Sequence, residues 1–290
     1  LILVNDGSTD SSGLICDEYS KKDTRIKVIH KSNGGLSSAR NAGLDIAQSP
    51  YVGFIDSDDW INENMYSDML DKAYTHDVDL VVCNIMLMQR DGTEKPYTKI
   101  ENDMLLTREQ SLSELYKNEI LLFSACNKIY RRELFHELRY REGIILEDMD
   151  LSYKLFNKIN KVFYIHKSYY HYRYNENSIL RGDFNLKRLD EYMVRKEMYE
   201  FYKKEYPEVS DLVYYYLCNI GSFLYAMILS DPKFNKENFT YLIQYDETIL
   251  KKVLFRKKLP YKIRIKIVLF YFFPNIENKI RRIIMSIRMK

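Results

Sequence analysis

Three carboxylates are crowded into four residues directly after an apolar stretch of the chain. The segment FIDSDDW (residues 54–60) places Asp56, Asp58 and Asp59 at the end of the run 51–55. Two like charges about 4 Å apart repel by ~4 kcal/mol at an effective dielectric of 20, so the cluster favours a neutralising cation. Carboxylate oxygens suit Mg²⁺ or Mn²⁺, which would keep open positions for diphosphate oxygens. The alternative is a solvated acidic turn that caps the next helix. Because the three carboxylates lie at the end of a predicted strand, the metal site is favoured.

A second carboxylate, Asp6, lies in the segment NDGSTD (residues 5–10), behind the apolar run 1–4. At the end of a parallel strand, a carboxylate can accept a hydrogen bond from the base of a bound nucleotide. The alternative is an N-cap for the following helix, although Ser8 or Asp10 could supply that cap alone.

A third segment, NGGLSSARNAG (residues 33–43), contains Gly34 and Gly35 directly before a predicted helix. Two glycines at such a position allow the backbone to approach a ligand closely. Arg40 on the same helix lies where it could meet a base or a phosphate.

Strands and helices alternate over residues 1–100, and they must position these groups. Near-continuous apolar strands predict an α/β fold with a mostly parallel sheet flanked by helices. Ligands of such sheets bind beyond the carboxyl ends of the strands, where Asp6 and Asp56 both lie. The predicted strands are 1–4, 26–30, 51–55 and 80–86, and the predicted helices are 11–22, 37–48 and 65–76. Further helices are predicted at 108–117 and 147–157, a strand at 162–165, and a helical pattern from about 185 onward.

The three motifs NDGSTD, NGGLSSARNAG and FIDSDDW, in this order and spacing, resemble the inverting glycosyltransferases of family 2, of the bacterial capsular or exopolysaccharide type. The resemblance covers about residues 1–180 and implies the GT-A fold, a Rossmann-like sheet that binds a nucleotide. The family normally has one more strand first. Since Leu1 already lies in a predicted strand, we expect the N-terminus to be truncated.

The resemblance also implies roles for the donor side of the site. Asp6 would read the base, usually uracil, and Arg40 would lie near it. Asp56 and Asp58 would hold the metal and the donor diphosphate, and Asp59 could share or take over part of that role.

The segment GIILED (residues 143–148) ends in a Glu-Asp pair at a predicted helix start. Inverting transfer needs a carboxylate that takes the proton of the acceptor hydroxyl. By resemblance, Asp148 is this base and Glu147 a supporting group; the reverse assignment, with Glu147 as the base, stays open. Carboxylates in a first helical turn also simply complement the helix dipole.

A stretch rich in tyrosine, residues 169–178, is similar to one found in polysaccharide-forming members of the family. His171 or Arg173 could contact the diphosphate as it leaves, although His171 equally suits a packed core position. Asn127 and Lys128 also resemble a recurring family segment, which we interpret mainly as structural support for the acceptor side.

The charge of the chain is unevenly distributed. The formal net charge is +3, yet residues 253–290 carry eleven Lys and Arg and a single acidic residue, Glu277. Residues 275–290 predict a basic amphipathic helix, which is typical of binding to an anionic membrane surface. An ordinary helix packed on the domain is the alternative. Nucleic acid is not an expected partner because the tail lacks a recognised module, and no apolar run reaches the ~20 residues of a membrane span.

We therefore predict a glycosyltransferase domain at 1–180, a helical extension at 181–252 and a basic tail at 253–290. The predicted enzyme is an inverting hexosyl- or N-acetylhexosaminyltransferase with Mn²⁺ or Mg²⁺ as cofactor. It would move a sugar from a nucleotide-sugar donor, expected to be a UDP-sugar, to a saccharide or lipid-linked acceptor in cell-surface polysaccharide synthesis.

The expected location is cytoplasmic, peripheral at the inner face of the membrane. The alternative function is a catalytically impaired, membrane-associated protein that binds nucleotide-sugars or serves as a scaffold.

Overall fold

The computed structural model describes residues 1–117, 120–175 and 184–255, together with 264, 265 and 268. The chain divides into two compact units, Leu1–Asn175 and Glu176–Lys290. The predicted domain boundary at 180 and nearly all of the predicted basic tail lie outside the described residues. The amphipathic helix at 275–290 therefore stays a prediction.

The first unit alternates strands and helices along its N-terminal half, as predicted. Its strands are β1 (Ile2–Asp6), β2 (Lys27–Lys31), β3 (Tyr51–Gly53), β4 (Trp60–Ile61), β5 (Leu80–Met88), β6 (Glu94–Pro96), β7 (Met104–Thr107), β8 (Lys128–Arg131) and β9 (Lys161–Tyr172). Its helices are α1 (Ser12–Lys22), α2 (Leu36–Ile46), α3 (Met65–His76), α4 (Arg108–Lys117) and α5 (Glu147–Lys158), with a 3₁₀ helix at Arg132–Phe135.

The strands form two sheets that differ from the predicted one in strand direction. Strands β1 and β2 pair in parallel, and a seven-stranded sheet has the order β3-β8-β5-β9-β4, with β6 beside β5 and β7 beside β9. In this larger sheet β5 and β9 pair in parallel, whereas β3–β8, β5–β8 and β4–β9 pair antiparallel. The prediction of a mostly parallel sheet was wrong, because apolar strands indicate burial on both faces but not strand direction.

The core of the first unit forms around β5, whose residues from Leu80 to Ile85 are almost completely buried. Helix α3 places Met65, Met69 and Ala73 against this core, each with no exposed surface. The spacing of four residues puts all three side chains on one helical stripe. Complete burial of a methionine side chain contributes about 1.5–3 kcal/mol, so α3 is held mainly by this stripe.

The short strand β4 matters most for the position of the predicted site. It pairs antiparallel with the end of β9, with Trp60 opposite His171 and Ile61 opposite Tyr170. This pairing brings a segment about 110 residues distant in sequence next to the acidic run 56–59. Strand β9 is also much longer than the predicted strand at 162–165.

The second unit is helical in its described part, as predicted. Its α-helices are α6 (Asp190–Glu205), α7 (Pro207–Ser230) and α8 (Glu247–Leu254), with 3₁₀ helices at Leu186–Leu189 and Lys236–Ile243. Phe184, Leu224, Tyr225, Ile228 and Leu242 form its apolar cluster.

Helix α7 is long and apolar enough, by length and composition, to cross a membrane. It does not stand out as one apolar run in the sequence, because tyrosines interrupt its aliphatic residues. Half of its most apolar window is buried within the protein, which a core helix also shows, so this helix is weak evidence for a membrane span.

Gly221 lies where α7 touches the chain around Leu242. A Cβ atom at Gly221 would meet the carbonyl oxygen of Leu242 at 2.1 Å. We expect Gly221→Ala to destabilise the protein by about 1–3 kcal/mol, the cost of overpacking, although alanine favours a helix by up to about 1 kcal/mol.

The matched control is Gly43→Ala in α2, where the nearest atom to a new Cβ lies at 3.7 Å. This variant should be stabilised by about 0.5–1 kcal/mol. Thermal unfolding checks both variants, and an equal rise in Tm would contradict the close contact at Gly221.

Candidate active site

The guanidinium of Arg40 joins three carboxylates that come from separate parts of the chain. Its Nη1 donates to Glu147 Oε1 at 2.8 Å and also to Asp148 Oδ1, and its Nη2 donates to Asp56 Oδ1 at 3.0 Å. Arg40 lies on α2, Asp56 follows β3, and the Glu-Asp pair opens α5. The predicted base and the predicted donor-binding run therefore meet at one side chain.

This cluster is well shielded from water on its cationic side. The Arg40 side chain is 6% exposed, and its guanidinium lies 5.2 Å from the ring centroid of Tyr140. Burial opposes the charge, but the carboxylates, that of Asp148 above all, outweigh it and raise the pKa of Arg40. One guanidinium faces three carboxylates, so the cluster is net negative when all are ionised.

Asp148 is held at both of its oxygens. Oδ1 accepts from Arg40, and Oδ2 accepts from the backbone N–H of Ala125 at 3.0 Å. Burial raises the pKa of Asp148 to about 6, although the Arg40 charge acts in the opposite direction. A carboxylate whose pKa lies close to neutral is suited to accept a proton during a reaction. Glu147 and Asp148 do lie in the first turn of α5, but their bonds to Arg40 exceed what complementing the helix dipole requires.

Asp6 organises the glycine loop before α2. Its carboxylate accepts from the backbone N–H groups of Gly34 at 3.0 Å and Gly35 at 2.7 Å, and from Lys31 Nζ at 2.6 Å. Burial acts to raise the pKa of Asp6, but these three donors together lower it. Gly35 has φ +83°, a conformation that favours glycine. Asp6 and the two glycines predicted to bind the donor are thus in direct contact.

The acidic run is fixed by the end of β9. Asp59 Oδ2 accepts from the Tyr170 hydroxyl at 2.7 Å, and Asp59 Oδ1 accepts from the backbone N–H of Arg173 at 2.8 Å. The same Tyr170 oxygen accepts from the backbone N–H of Asp56 at 3.2 Å. Burial raises the pKa of Asp59, although these hydrogen bonds oppose the change. Asp59 therefore connects the run to the sheet through both of its oxygens.

Asp56 and Asp58 keep one carboxylate oxygen each that accepts no hydrogen bond from the described residues. The engaged oxygens are Asp56 Oδ1, bound to Arg40, and Asp58 Oδ2, which accepts from Asn175 Nδ2 at 3.0 Å. No group of three or more His, Cys, Asp and Glu side chains arranged for a metal occurs within the described part of the chain. Mg²⁺ commonly takes only one or two carboxylates, its other positions being filled by water and phosphate oxygens. The two open oxygens fit that kind of site.

His171 and Arg173 lie beside the acidic run, around Trp60. The His171 ring stacks on Trp60 with centroids 5.1 Å apart, and the Arg173 guanidinium lies 5.3 Å from the same ring. His171 Nδ1 is buried and has no hydrogen-bond partner among the residues described. The structure thus places both beside the acidic run 56–59, which is predicted to bind the donor; a contact with diphosphate stays a prediction for each.

Five participants were not assigned a role from the sequence: Lys31, Tyr140, Tyr170, Asn175 and the N–H of Ala125. Tyr170 lies within the tyrosine-rich segment, but only the pairing of β4 with β9 shows which hydroxyl reaches Asp59. The bond from Ala125 involves a backbone group, so no residue type could have indicated it.

Residues 1–139 match the sequence model of "Glycosyl transferase family 2". The chain carries a glycosyl transferase family 2 domain. The sequence is 35% identical over 184 residues to the glycosyltransferase EpsJ of Bacillus subtilis, covering 62% of this chain and 54% of EpsJ. It is also 35% identical over 189 residues to the glycosyltransferase GlyA of Streptococcus pneumoniae, covering 62% of this chain and 27% of GlyA. The chain thus spans about half or less of these two relatives.

The fold of this chain is similar to that of TarS from Staphylococcus aureus, crystallised as residues 1–349 with UDP-GlcNAc. The TM-score is 0.59 at 20% sequence identity, covering 98% of this chain and 81% of that chain. At this identity the likeness shows the fold alone. It confirms the predicted GT-A α/β class with a helical C-terminal region.

Arg40→Met should destabilise the protein strongly, because it leaves three carboxylates without their shared cation. We expect a loss of about 3–5 kcal/mol, the usual result of removing one partner from a buried ion pair, measured by urea unfolding at pH 7. Arg25→Met is the matched control, since Arg25 pairs with Asp23 but is 87% exposed, and it should leave the unfolding midpoint unchanged. A loss for Arg40→Met of less than about 1 kcal/mol, as for exposed pairs, would contradict the buried cluster.

Proposed function

We propose that this chain is a metal-dependent, inverting glycosyltransferase that moves a sugar from a UDP-sugar to a saccharide or lipid-linked acceptor. The observation that carries the proposal is the Arg40 cluster, in which the carboxylates of Asp56 and Asp148 bind one guanidinium. A donor site and a proton acceptor must lie side by side for direct transfer. Arg40 holds Asp56 and Asp148 next to each other.

In the proposed reaction, Asp148 takes the proton of the acceptor hydroxyl. The hydroxyl oxygen forms a bond to the anomeric carbon while the bond from that carbon to the diphosphate breaks, which inverts the configuration. The electrons of the broken bond leave with the nucleoside diphosphate. Asp148 is suited to this role because burial raises the pKa of its carboxyl, so that it is basic enough to accept a proton yet ionised near neutral pH. Glu147 supports it by sharing the Arg40 guanidinium.

We assign Mn²⁺ or Mg²⁺ to the open oxygens of Asp56 and Asp58, and the donor diphosphate would be held there through that cation. The bound cation would neutralise the diphosphate and make it a better leaving group. Asp59 is the least suited of the three to bind it, since both of its oxygens already accept hydrogen bonds. Its role in this proposal is to hold the run in place through Tyr170.

The proposed substrate class is supported by the family match and by two related proteins. TarS was crystallised with UDP-GlcNAc, and a relative that is 31% identical over 181 residues is the minor teichoic acid biosynthesis protein GgaB of Bacillus subtilis. These names support a UDP-sugar donor and an acceptor in cell-surface polysaccharide synthesis. A cytoplasmic location at the inner membrane face rests on the basic tail, which lies outside the described residues.

Asp148→Asn should lower kcat by about 100- to 10,000-fold, the usual contribution of a general base. The assay measures UDP release from UDP-GlcNAc, UDP-glucose and UDP-galactose with Mn²⁺ and candidate saccharide acceptors. Asp103→Asn, which alters a carboxylate paired with His166, should keep wild-type activity. If wild-type protein released no more UDP than Asp148→Asn with every donor and acceptor, the enzyme function would be wrong.

The rate should also depend on pH in a defined direction. Because the pKa of Asp148 is raised to about 6, its carboxylate form is lost as pH falls below that value. We expect kcat to fall about tenfold per pH unit below 6 and to level off above 7. A kcat that stayed constant down to pH 4.5 would exclude Asp148 as the base.

Asp58→Asn should weaken binding of UDP in the presence of Mn²⁺. Since even outer-shell partners of a metal contribute about 10- to 100-fold in affinity, we expect a loss of at least about tenfold. The single tryptophan of the chain, Trp60, adjoins the run, so quenching of its fluorescence measures the Kd. Asp45→Asn, an exposed carboxylate paired with Arg139, serves as the control, and equal Kd values for the two variants would refute the assignment.

A further inference from the structure

Lys128 at the start of β8 is a buried cation with no part in the mechanism above. Its side chain has no exposed surface, and its Nζ donates to the carbonyl oxygen of Ser124 at 2.7 Å and to Asn127 Oδ1 at 2.9 Å. The described residues provide no carboxylate within ion-pair distance of it. Burial of an amine without a counter-ion is costly, and it lowers the pKa of Lys128 to about 8.

The two groups that Lys128 binds belong to one bent segment, residues 124–127, which we name the turn 124–127. Asn127 has φ +42°, and its side chain donates to the carbonyl oxygen of Cys83 at 2.5 Å. Its own carbonyl oxygen accepts from the backbone N–H of Cys83 at 3.0 Å. The turn is therefore fixed on one side by the central strand β5 and on the other by the amine of Lys128.

The same turn supplies the backbone N–H that holds the predicted base. Ala125 follows Ser124 directly, and its N–H donates to Asp148 Oδ2 at 3.0 Å. The other oxygen of Asp148 binds Arg40. The orientation of the Asp148 carboxylate thus depends on where residues 124 and 125 lie, and Lys128 binds the carbonyl group that links them.

We propose that Lys128 is a positioning residue for Asp148, acting through the turn 124–127 and the N–H of Ala125. The proposal rests on the proposed function in so far as Asp148 is the base. The positive charge of Lys128 also acts favourably on the ionised Asp148. Lys128 thus supports the acceptor side of the reaction, whereas the donor contacts of Asp6, Asp56 and Asp58 do not involve it.

The test variant is Lys128→Met, which keeps the apolar stem and removes the amine. Its first readout needs no activity: hydrogen exchange at the Ala125 amide, followed by NMR. We expect protection in the wild-type protein and loss of that protection in Lys128→Met and in Asp148→Ala. Protection of Ala125 that is unchanged in Lys128→Met would overturn the proposal.

The second readout is the division of the effect between kcat and KM. A displaced base affects the chemical step, so kcat should fall on the order of 100-fold while the KM for the UDP-sugar stays unchanged. A rise in donor KM at constant kcat would overturn the positioning role.

Tyr51→Phe is the matched control, because it removes a buried hydrogen bond to a backbone carbonyl, that of Val78 at 2.7 Å. Tyr51 lies on β3, the strand beside β8, and its hydrogen bond does not reach the turn. The control should lose stability but keep both kcat and Ala125 protection. If it changed both as much as Lys128→Met does, Lys128 would have a general structural role and the proposal would fail.

Should Lys128→Met not fold, Lys128→Gln removes the charge with a smaller disturbance, and it is measured in the same way. The proposed function and the positioning role of Lys128 can be refuted by different results. Absence of UDP release by the wild-type protein would refute the glycosyltransferase function, while exchange at Ala125 would still decide whether Lys128 fixes the turn.

Discussion

The arrangement of the site depends on one buried guanidinium. Arg40 binds carboxylates from the acidic run and from the start of α5, segments that no strand pairing connects directly. A buried arginine cannot lose its proton and its planar fork fixes the direction of each bond. The helix that carries Arg40 also begins at the glycine loop bound by Asp6, so α2 connects the glycine loop, the acidic run and the Glu-Asp pair.

The surroundings of Asp6 and Asp148 shift the pKa values of these two carboxylates in opposite directions. Asp6 receives an ammonium and two backbone N–H groups, which outweigh its burial and lower its pKa. At Asp148 the effect of burial outweighs its single guanidinium and amide partners and raises its pKa. A permanently ionised carboxylate suits recognition, whereas one that changes protonation near neutral pH suits proton transfer. Their assignment to different tasks is thus consistent with their electrostatics.

The sequence predicted local features well and long-range ones poorly. Helices α3 and α4 were placed at their observed ends, because apolar spacing and capping are local signals. The mixed direction of the main sheet was missed, since β8 enters between β3 and β5 from a distant part of the chain. Likewise Asp56, Arg40 and Asp148 were each named as candidates, but their shared contact could not be seen. Tyr140 and the Ala125 N–H lie in no motif, so only the folded chain reveals them.

The pairing of β4 with β9 has a consequence for the order of events during protein synthesis. The acidic run receives its supports from Tyr170, Arg173 and Asn175, all made more than 110 residues later. At about 5–20 residues per second, the ribosome needs several seconds to add them, and the exit tunnel delays their release further. During that interval Asp58 and Asp59 of the nascent N-terminal half lack the hydrogen-bond donors that hold them in the folded protein. The acidic run can therefore take up its folded arrangement only once β9 has emerged.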